Sequence, residues 1–210
     1  MSTLRTITGF KERLAGGGAR PNLFEVDIPA FPGELSGLWA TAAGQEAETF
    51  KFLCKAAALP ASNIASIDVP FRGRILKVAG DRTFDVWTVT IINDEDFKLR
   101  TAFERWMNAI SKLDNNTGAT NPTSYMTNAF VYQLGRGAGT VNSTNNSSST
   151  NGTAITPLRS YKFYDIFPTN VSAIDLSYDS SDAIEEYTVE FQVQYWTAGE
   201  TTDSTGVTIS

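Results

Sequence analysis

The stretch that decides the fold is Val78–Phe97, VAGDRTFDVWTVTIINDEDF. It opens at a glycine, continues through Thr, Val, Ile and Trp, and ends in a cluster of acids. Side chains alternate across a strand. Trp87, Val89 and Ile91 therefore share one face, and Phe84, Val86 and Ile92 share the other with Thr88 and Thr90. A strand on the surface of a monomer should show one polar face. Here large apolar residues sit on both, so something must cover the second.

Upstream, Ile64 to Val78 contains IDVPFRGRILKV, which reads as an extended, bent strand with Pro70 and Gly73 marking an edge or a bulge. Gly80-Asp81 reads as the turn of a hairpin whose second strand is Thr83 to Asn93. Downstream, Asn93 or Asp94 is placed to cap a helix, with Glu95 and Asp96 favouring its positive N-terminal end. The helix is expected to run to about Lys112. Leu99, Phe103, Trp106, Met107 and Ile110 form its apolar stripe, and Lys98, Arg100, Thr101, Glu104, Arg105 and Asn108 its wet side.

The rest of the chain is read in the same terms. Thr3 to Leu14 suits a short helix ended by Gly16-Gly17-Gly18. Asn22 to Ile28 alternates as a strand, with Phe24, Val26 and Ile28 opposite Leu23, Glu25 and Asp27. Thr49 to Leu59 reads as a strand, although its alanines also suit a helix. Ala129 to Leu134 is a strand. Ser160 to Phe167 and Val171 to Tyr178 read as strands around a Pro168-Thr-Asn turn. Ile184 to Trp196 has the cleanest alternation, with Tyr187, Val189, Phe191, Val193 and Tyr195 opposite Glu186, Thr188, Glu190, Gln192 and Gln194. Gly135 to Pro157 is almost pure Gly, Ser, Thr and Asn, so a mobile loop is expected there. Residues 1–20 read as an N-terminal arm and 197–210 as a loose tail of one domain spanning 1–210. The sum is an α+β fold, mainly β, with an antiparallel sandwich or barrel and one flanking amphipathic helix.

Composition narrows the function. The 210 residues are 41% hydrophobic and 19% charged, the balance of a soluble globular protein. The net charge of −6 repels nucleic acid rather than attracting it. There is no histidine, which removes the usual general base near neutral pH and the commonest transition-metal ligand. The single cysteine, Cys54, cannot form an intrachain disulfide and reads as a buried apolar residue. The N-terminus has no apolar stretch of signal-peptide length, and no window matches a membrane span, so assembly in a cytoplasm is expected.

No constellation assembles a catalytic, metal or cofactor site. Gly16-Gly17-Gly18 before Arg20 lacks the Gly-Lys-Ser/Thr ending of a phosphate loop. Glu185 and Glu186 are adjacent on a strand and point to opposite faces, so they cannot flank one glycosidic bond. These glutamates, with Asp179 and Asp182, read as solvated or lumen charges. Asn93–Asp96 lacks the spacing of a calcium loop. Arg72, Arg74, Lys77 and Arg82 form the densest basic patch. It serves either strand-edge protection or an intersubunit ion-pair surface.

Several of these segments together carry a resemblance. ARPNLFEVDI, FLCKAAALPAS, VAGDRTFDVWTVTIINDE, FPTNV and the closing VQYW resemble, in order, the tail tube protein family of contractile-tailed bacteriophages, from about Ala19 to Trp196. The connection from Phe31 to Thr49 and the loop Gly135–Pro157 depart from the family pattern.

The resemblance implies a small β-barrel or sandwich with a flanking helix, similar to the type VI secretion tube protein. It implies six-subunit rings whose inner strands join one barrel, stacked into a tube inside a contractile sheath. It further implies a virion location, no enzymatic activity, and no cofactor. The implied partners are other copies, the sheath, baseplate or tube-initiating proteins, the tape measure protein in the lumen, and DNA in transit. The helix and a neighbouring subunit would then cover the second face of Phe84, Val86 and Ile92, and these residues join the basic patch as subunit-contact candidates. Glu25, Asp27, Glu186, Thr188, Glu190, Gln192 and Gln194 would line the lumen. The rival readings are a tube-end ring of the same family and a monomeric carbohydrate-binding β-sandwich, which would need an exposed aromatic platform built from Trp39 and Trp196.

Overall fold

In a computed structural model, residues 7–13, 18–31, 46–135, 157–179 and 183–199 are described. In chain order the elements are α1 (Ile7–Arg13), β1 (Phe24–Asp27), α2 (Glu46–Leu53), β2 (Cys54–Ala57), β3 (Ser62–Phe71), β4 (Arg74–Phe84), β5 (Trp87–Ile92), α3 (Lys98–Ile110), β6 (Thr127–Leu134), β7 (Pro157–Val171), β8 (Glu186–Gln192) and β9 (Tyr195–Gly199). Among the described residues, seven strands form one sheet in the order β1-β6-β7-β8-β5-β2, with β9 also on β7; β3 and β4 pair only with each other. The fold is mainly antiparallel β with few helices, the class expected from the sequence.

Contacts gather the chain into two units. In the smaller, made from residues 1–25, 131–161 and 197–210, the Leu134 N–H donates to the Leu23 carbonyl at 2.8 Å. The Gln133 side-chain amide donates to the carbonyls of Arg20 and Leu23, both at 2.7 Å.

The larger unit, Val26–Phe130 and Lys162–Trp196, holds an aromatic core on one face of β5 and β8. The register sets Trp87 opposite Phe191, Val89 opposite Val189 and Ile91 opposite Tyr187, and all six are buried. The α3 stripe lies on this face. Leu99, Phe103 and Trp106 are buried, while Met107 and Ile110 are half-buried at its margin. Phe191 meets Trp87 at 5.2 Å between ring centroids, Phe103 at 5.9 Å and Trp106 at 6.1 Å. Phe31 adds a ring 4.4 Å from Trp106, whose indole N–H donates to the Tyr125 carbonyl at 2.8 Å. The helix therefore covers the Trp87 face, and not the face of Thr88, Thr90 and Ile92, which is half-buried. The expectation that the helix covers the second face is overturned.

Other local expectations change as well. Gly80-Asp81 is not a turn but lies inside β4, and the chain reverses at Arg72-Gly73. The segment read as a strand from Thr49 begins instead as helix α2. Its Glu46 and Glu48 sit in the first turn and Lys51 in the last, the favourable order for the helix dipole, and Ala47 and Phe50 are buried three residues apart. The flanking helix is thus not the sole helix. Helix α3 starts later than its acids suggest: its N-cap is Phe97, with φ 52° and no side-chain cap. Asn93 is engaged elsewhere, its side-chain amide donating to Glu185 Oε2 at 2.8 Å.

Pro168-Thr-Asn is not a turn either; β7 continues through it. The register shifts between Pro168 and Asn170, and such a bulge accommodates the missing proline N–H. The last strand breaks at Val193-Gln194, and β9 carries order to Gly199, three residues into the stretch read as tail. Tyr195 consequently leaves the core side and stacks on Tyr164 at 4.4 Å. Residues 1–6, 14–17, 32–45, 136–156, 180–182 and 200–210 lie outside the described residues, and with them most of the arm, the long connection, the Ser/Asn-rich loop and the tail. Asp182 lies outside them too.

Two predictions follow from this core. Phe103→Ala should destabilise the protein by about 3–5 kcal/mol, the range for a buried aromatic, read from chemical denaturation; a loss under 1 kcal/mol would show the stripe is not the core contact. Burial pushes the Cys54 thiol up to about 12, partly offset by its bond to the Ala56 carbonyl. A raised thiol pKa adds stability that is whole below the unfolded value of about 8.5 and is lost as pH rises toward 12. Cys54 should therefore resist a thiol reagent at pH 8 until denaturant is added, which a colorimetric titration would check.

Candidate assembly surface

The sequence dictates an unusual hairpin. In β3 and β4, Ile67 pairs with Val78, Val69 with Leu76 and Phe71 with Arg74, so their side chains share one face; Asp68-Lys77 and Pro70-Ile75 share the other. Each of these residues is exposed: Ile67 is 54% exposed, Leu76 62% and Phe71 66%. Lone exposed apolar residues are ordinary, whereas a contiguous ladder of them is unusual on a lone soluble chain. A two-stranded hairpin is also marginal by itself.

Local chemistry shapes this hairpin. Arg72 (φ 45°) and Gly73 (φ 81°) both adopt left-handed backbone, the conformation of a tight two-residue hairpin turn. Glycine suits the second position, and Arg72 accepts some strain at the first. The Arg72 guanidinium lies 5.5 Å from the centroid of the Phe71 ring. Further down, the register shifts between Ile64 and Ser66. Opposite it, a Cβ on Gly80 would come within 3.1 Å of the Ala65 carbonyl oxygen and of Ile67, which explains a glycine inside a strand.

The basic patch belongs to this hairpin. Arg72, Arg74, Lys77 and Arg82 are all exposed on it, and Lys77 pairs with Asp68 at 3.0 Å. Phe84 sits at its foot, half-buried, with its ring 6.3 Å from Trp196. Val86 follows, exposed, and Ile92 is half-buried on β5 opposite Glu186. Trp196 is half-buried against Phe84 and does not present a platform, while Trp39 lies outside the described residues. The sequence reading missed the hairpin because it placed the turn at the first glycine-acid pair. The available signal was Arg72-Gly73, midway between two runs of apolar residues.

The polar face of β8 lies on the side of the sheet opposite α3. Thr188 pairs with Thr90 and Glu190 with Thr88. Two of the proposed lumen carboxylates hold cations: Glu186 pairs with Lys55 of β2, and Asp27 with Lys51 of α2 at 3.4 Å. Glu25 is half-buried in β1, Gln192 half-buried at the end of β8, and Gln194 exposed beyond it. Among the described residues no group of three His, Cys, Asp or Glu could hold a metal ion, and no helix is long and apolar enough to cross a membrane.

Comparison with known proteins gives this geometry its context. The family model described as phage tail tube protein matches residues 19–199. The tail tube protein gp19 of Enterobacteria phage T4 is 34% identical over 182 residues, covering 87% of this chain and 93% of that protein. Its counterpart in Enterobacteria phage T6 is 33% identical over the same length and coverage. Among solved structures, a chain of the anti-feeding prophage baseplate has a similar fold, with TM-score 0.57 at 11% identity, covering 89% of this chain and 98% of that one. A chain of an extracellular contractile injection system sheath-tube complex has TM-score 0.52 at 11% identity, covering 90% and 97%. The chain belongs to the phage tail tube protein family, and is a structural component of the virion tail.

Proposed function

We propose that this chain forms hexameric rings that stack into the inner tube of a contractile tail, the conduit for DNA ejection. The β3–β4 hairpin carries the reading. Its apolar ladder and basic tip are surfaces a lone subunit leaves in water, and stacked copies would cover them. A single tail-tube domain, the sheath, the baseplate or tube-initiating proteins and a tape measure protein in the lumen complete the proposal. Solved relatives of similar fold come from sheath-tube and baseplate assemblies. A structural role without catalysis fits the family and a sequence without histidine. Identity of 34% to a tail tube protein favours the tube body over a tube-end ring.

In this reading the polar face of β8 lines the channel. Thr188, Glu190 and Gln192 form its centre, with Glu25, Asp27, Glu186 and Gln194 as further lumen residues. Lysines partner Asp27 and Glu186, so Glu190 would set the wall potential more than they do. An acidic wall offers phosphates no cations to replace their counterions, so DNA would slide without sticking. The effect reaches about 8–10 Å at physiological salt.

Purified protein at rising concentration, or with a baseplate nucleus, should form rings and tubes in negative-stain images. A strictly monomeric protein that never enters tails would overturn the proposal. Glu190→Lys should leave tubes intact while ejection slows and becomes salt-dependent; unchanged ejection would remove Glu190 from the wall.

A further inference from the structure

If the hairpin is a contact, a second surface of the same chain must receive it. The larger unit presents a candidate between β7 and β8, where Ala173–Tyr178 and Ala183–Glu186 border one groove. Its character mirrors the hairpin's. Leu176, Tyr178 and Ile184 are exposed apolar residues at its rim. Among the described residues around it, 173–179 and 183–186, there are carboxylates and no Lys or Arg. Glu185 is occupied by Asn93 and Glu186 by Lys55. Asp175 and Asp179 are exposed and, among the described residues, form no ion pair.

The hairpin is the inverse. Between residues 62 and 84 it carries four cations and two carboxylates, in a chain of net charge −6. Lys77 is taken by Asp68, which leaves Arg72 and Arg74 at the tip beside exposed Phe71. One surface is apolar and basic, the other apolar and acidic, and they lie at different places on the same chain. Two such patches make a heterologous contact, which propagates from copy to copy instead of closing a pair.

We infer that the hairpin tip of one copy, Phe71–Arg74, docks in the groove bordered by Ile174, Asp175, Leu176, Tyr178 and Ile184 of a second copy. Arg72 and Arg74 meet Asp175 and Asp179, and Phe71 meets Leu176 and Tyr178. This inference rests on the self-assembly proposed above, and it specifies which surfaces meet. Opposite charge at the rim would steer the encounter and reject wrong registers, while the apolar residues supply the burial. The contact is therefore sensitive to ionic strength during association.

The test follows polymerisation by light scattering and electron microscopy, with circular dichroism confirming that each variant folds. Arg72→Glu with Arg74→Glu, and separately Asp175→Lys with Asp179→Lys, should each slow assembly at least tenfold at low salt. A chain carrying all four reversals should assemble with itself and not with the unaltered protein. As a second measurement, Arg72→Cys mixed with Asp175→Cys should give intermolecular disulfide-linked species on oxidation, because Cys54 is buried and does not compete. Tubes that form normally with the Asp175 and Asp179 reversals and give no cross-link would overturn the docking site and leave self-assembly standing. An unaltered protein that makes no ring or tube under any condition would overturn self-assembly, and the docking site with it.

Discussion

The structure depends on one ring, Phe191. It stands on β8 opposite Trp87 and beneath two turns of α3, and it meets Trp87, Phe103 and Trp106 at once. Phe31 and Phe50 extend the cluster through Trp106 and Phe103. Tilted and edge-on contacts of this kind add to plain burial and fix the angle at which the helix lies. Among the described residues, the Trp87 indole N–H and the Tyr187 hydroxyl are buried and meet no protein hydrogen-bond partner. Burial also raises the Tyr187 pKa, with Asp94 adding to the rise. The aromatic layer joins helix α3 to the sheet.

That core assigns the two faces of β8 their separate tasks. Every second side chain turns inward to the aromatic layer, and Thr188, Glu190 and their neighbours are thereby forced to the opposite side. A strand with one committed face cannot slip by one residue without burying carboxylates. The polar face is thus fixed in position by the packing behind it.

How much was legible in the sequence differs by element. The α3 stripe and the alternation of β8 were readable because each is amphipathic and its period is set by one buried side. The mainly β class followed from the same patterns. The hairpin was harder to read, since neither of its strands buries a face within the subunit and its apolar ladder stays exposed. Its turn uses Arg72 where Asn would have announced it. Helix α2 was hidden by Thr49, Phe50 and Phe52, residues common in strands, although Phe52 is exposed. Pro168 resembled a turn because proline rarely sits inside a sheet, and only the bulge beside it makes that possible. The candidate carboxylates were identifiable as a face, while the lysines that partner Asp27 and Glu186 come from α2 and β2, elements remote in sequence. Tertiary ion pairs of this kind leave no local pattern.

The exposed ladder of the hairpin also has a consequence in time. In the assembly proposed above, a subunit not yet incorporated would leave Ile67, Val69, Leu76 and Val78 uncovered, and any two such ladders could zip together edge to edge into a useless aggregate. Arg72, Arg74, Lys77 and Arg82 are interleaved with them and repel a like-charged ladder, in the manner of gatekeeper residues flanking an unavoidable apolar strand. Pro70, which has no N–H to offer, interrupts the same edge. On that proposal, the features that would keep a free subunit dispersed belong to the same segment that would give up its solvent on assembly, so quiescence and growth would be two regimes of one surface.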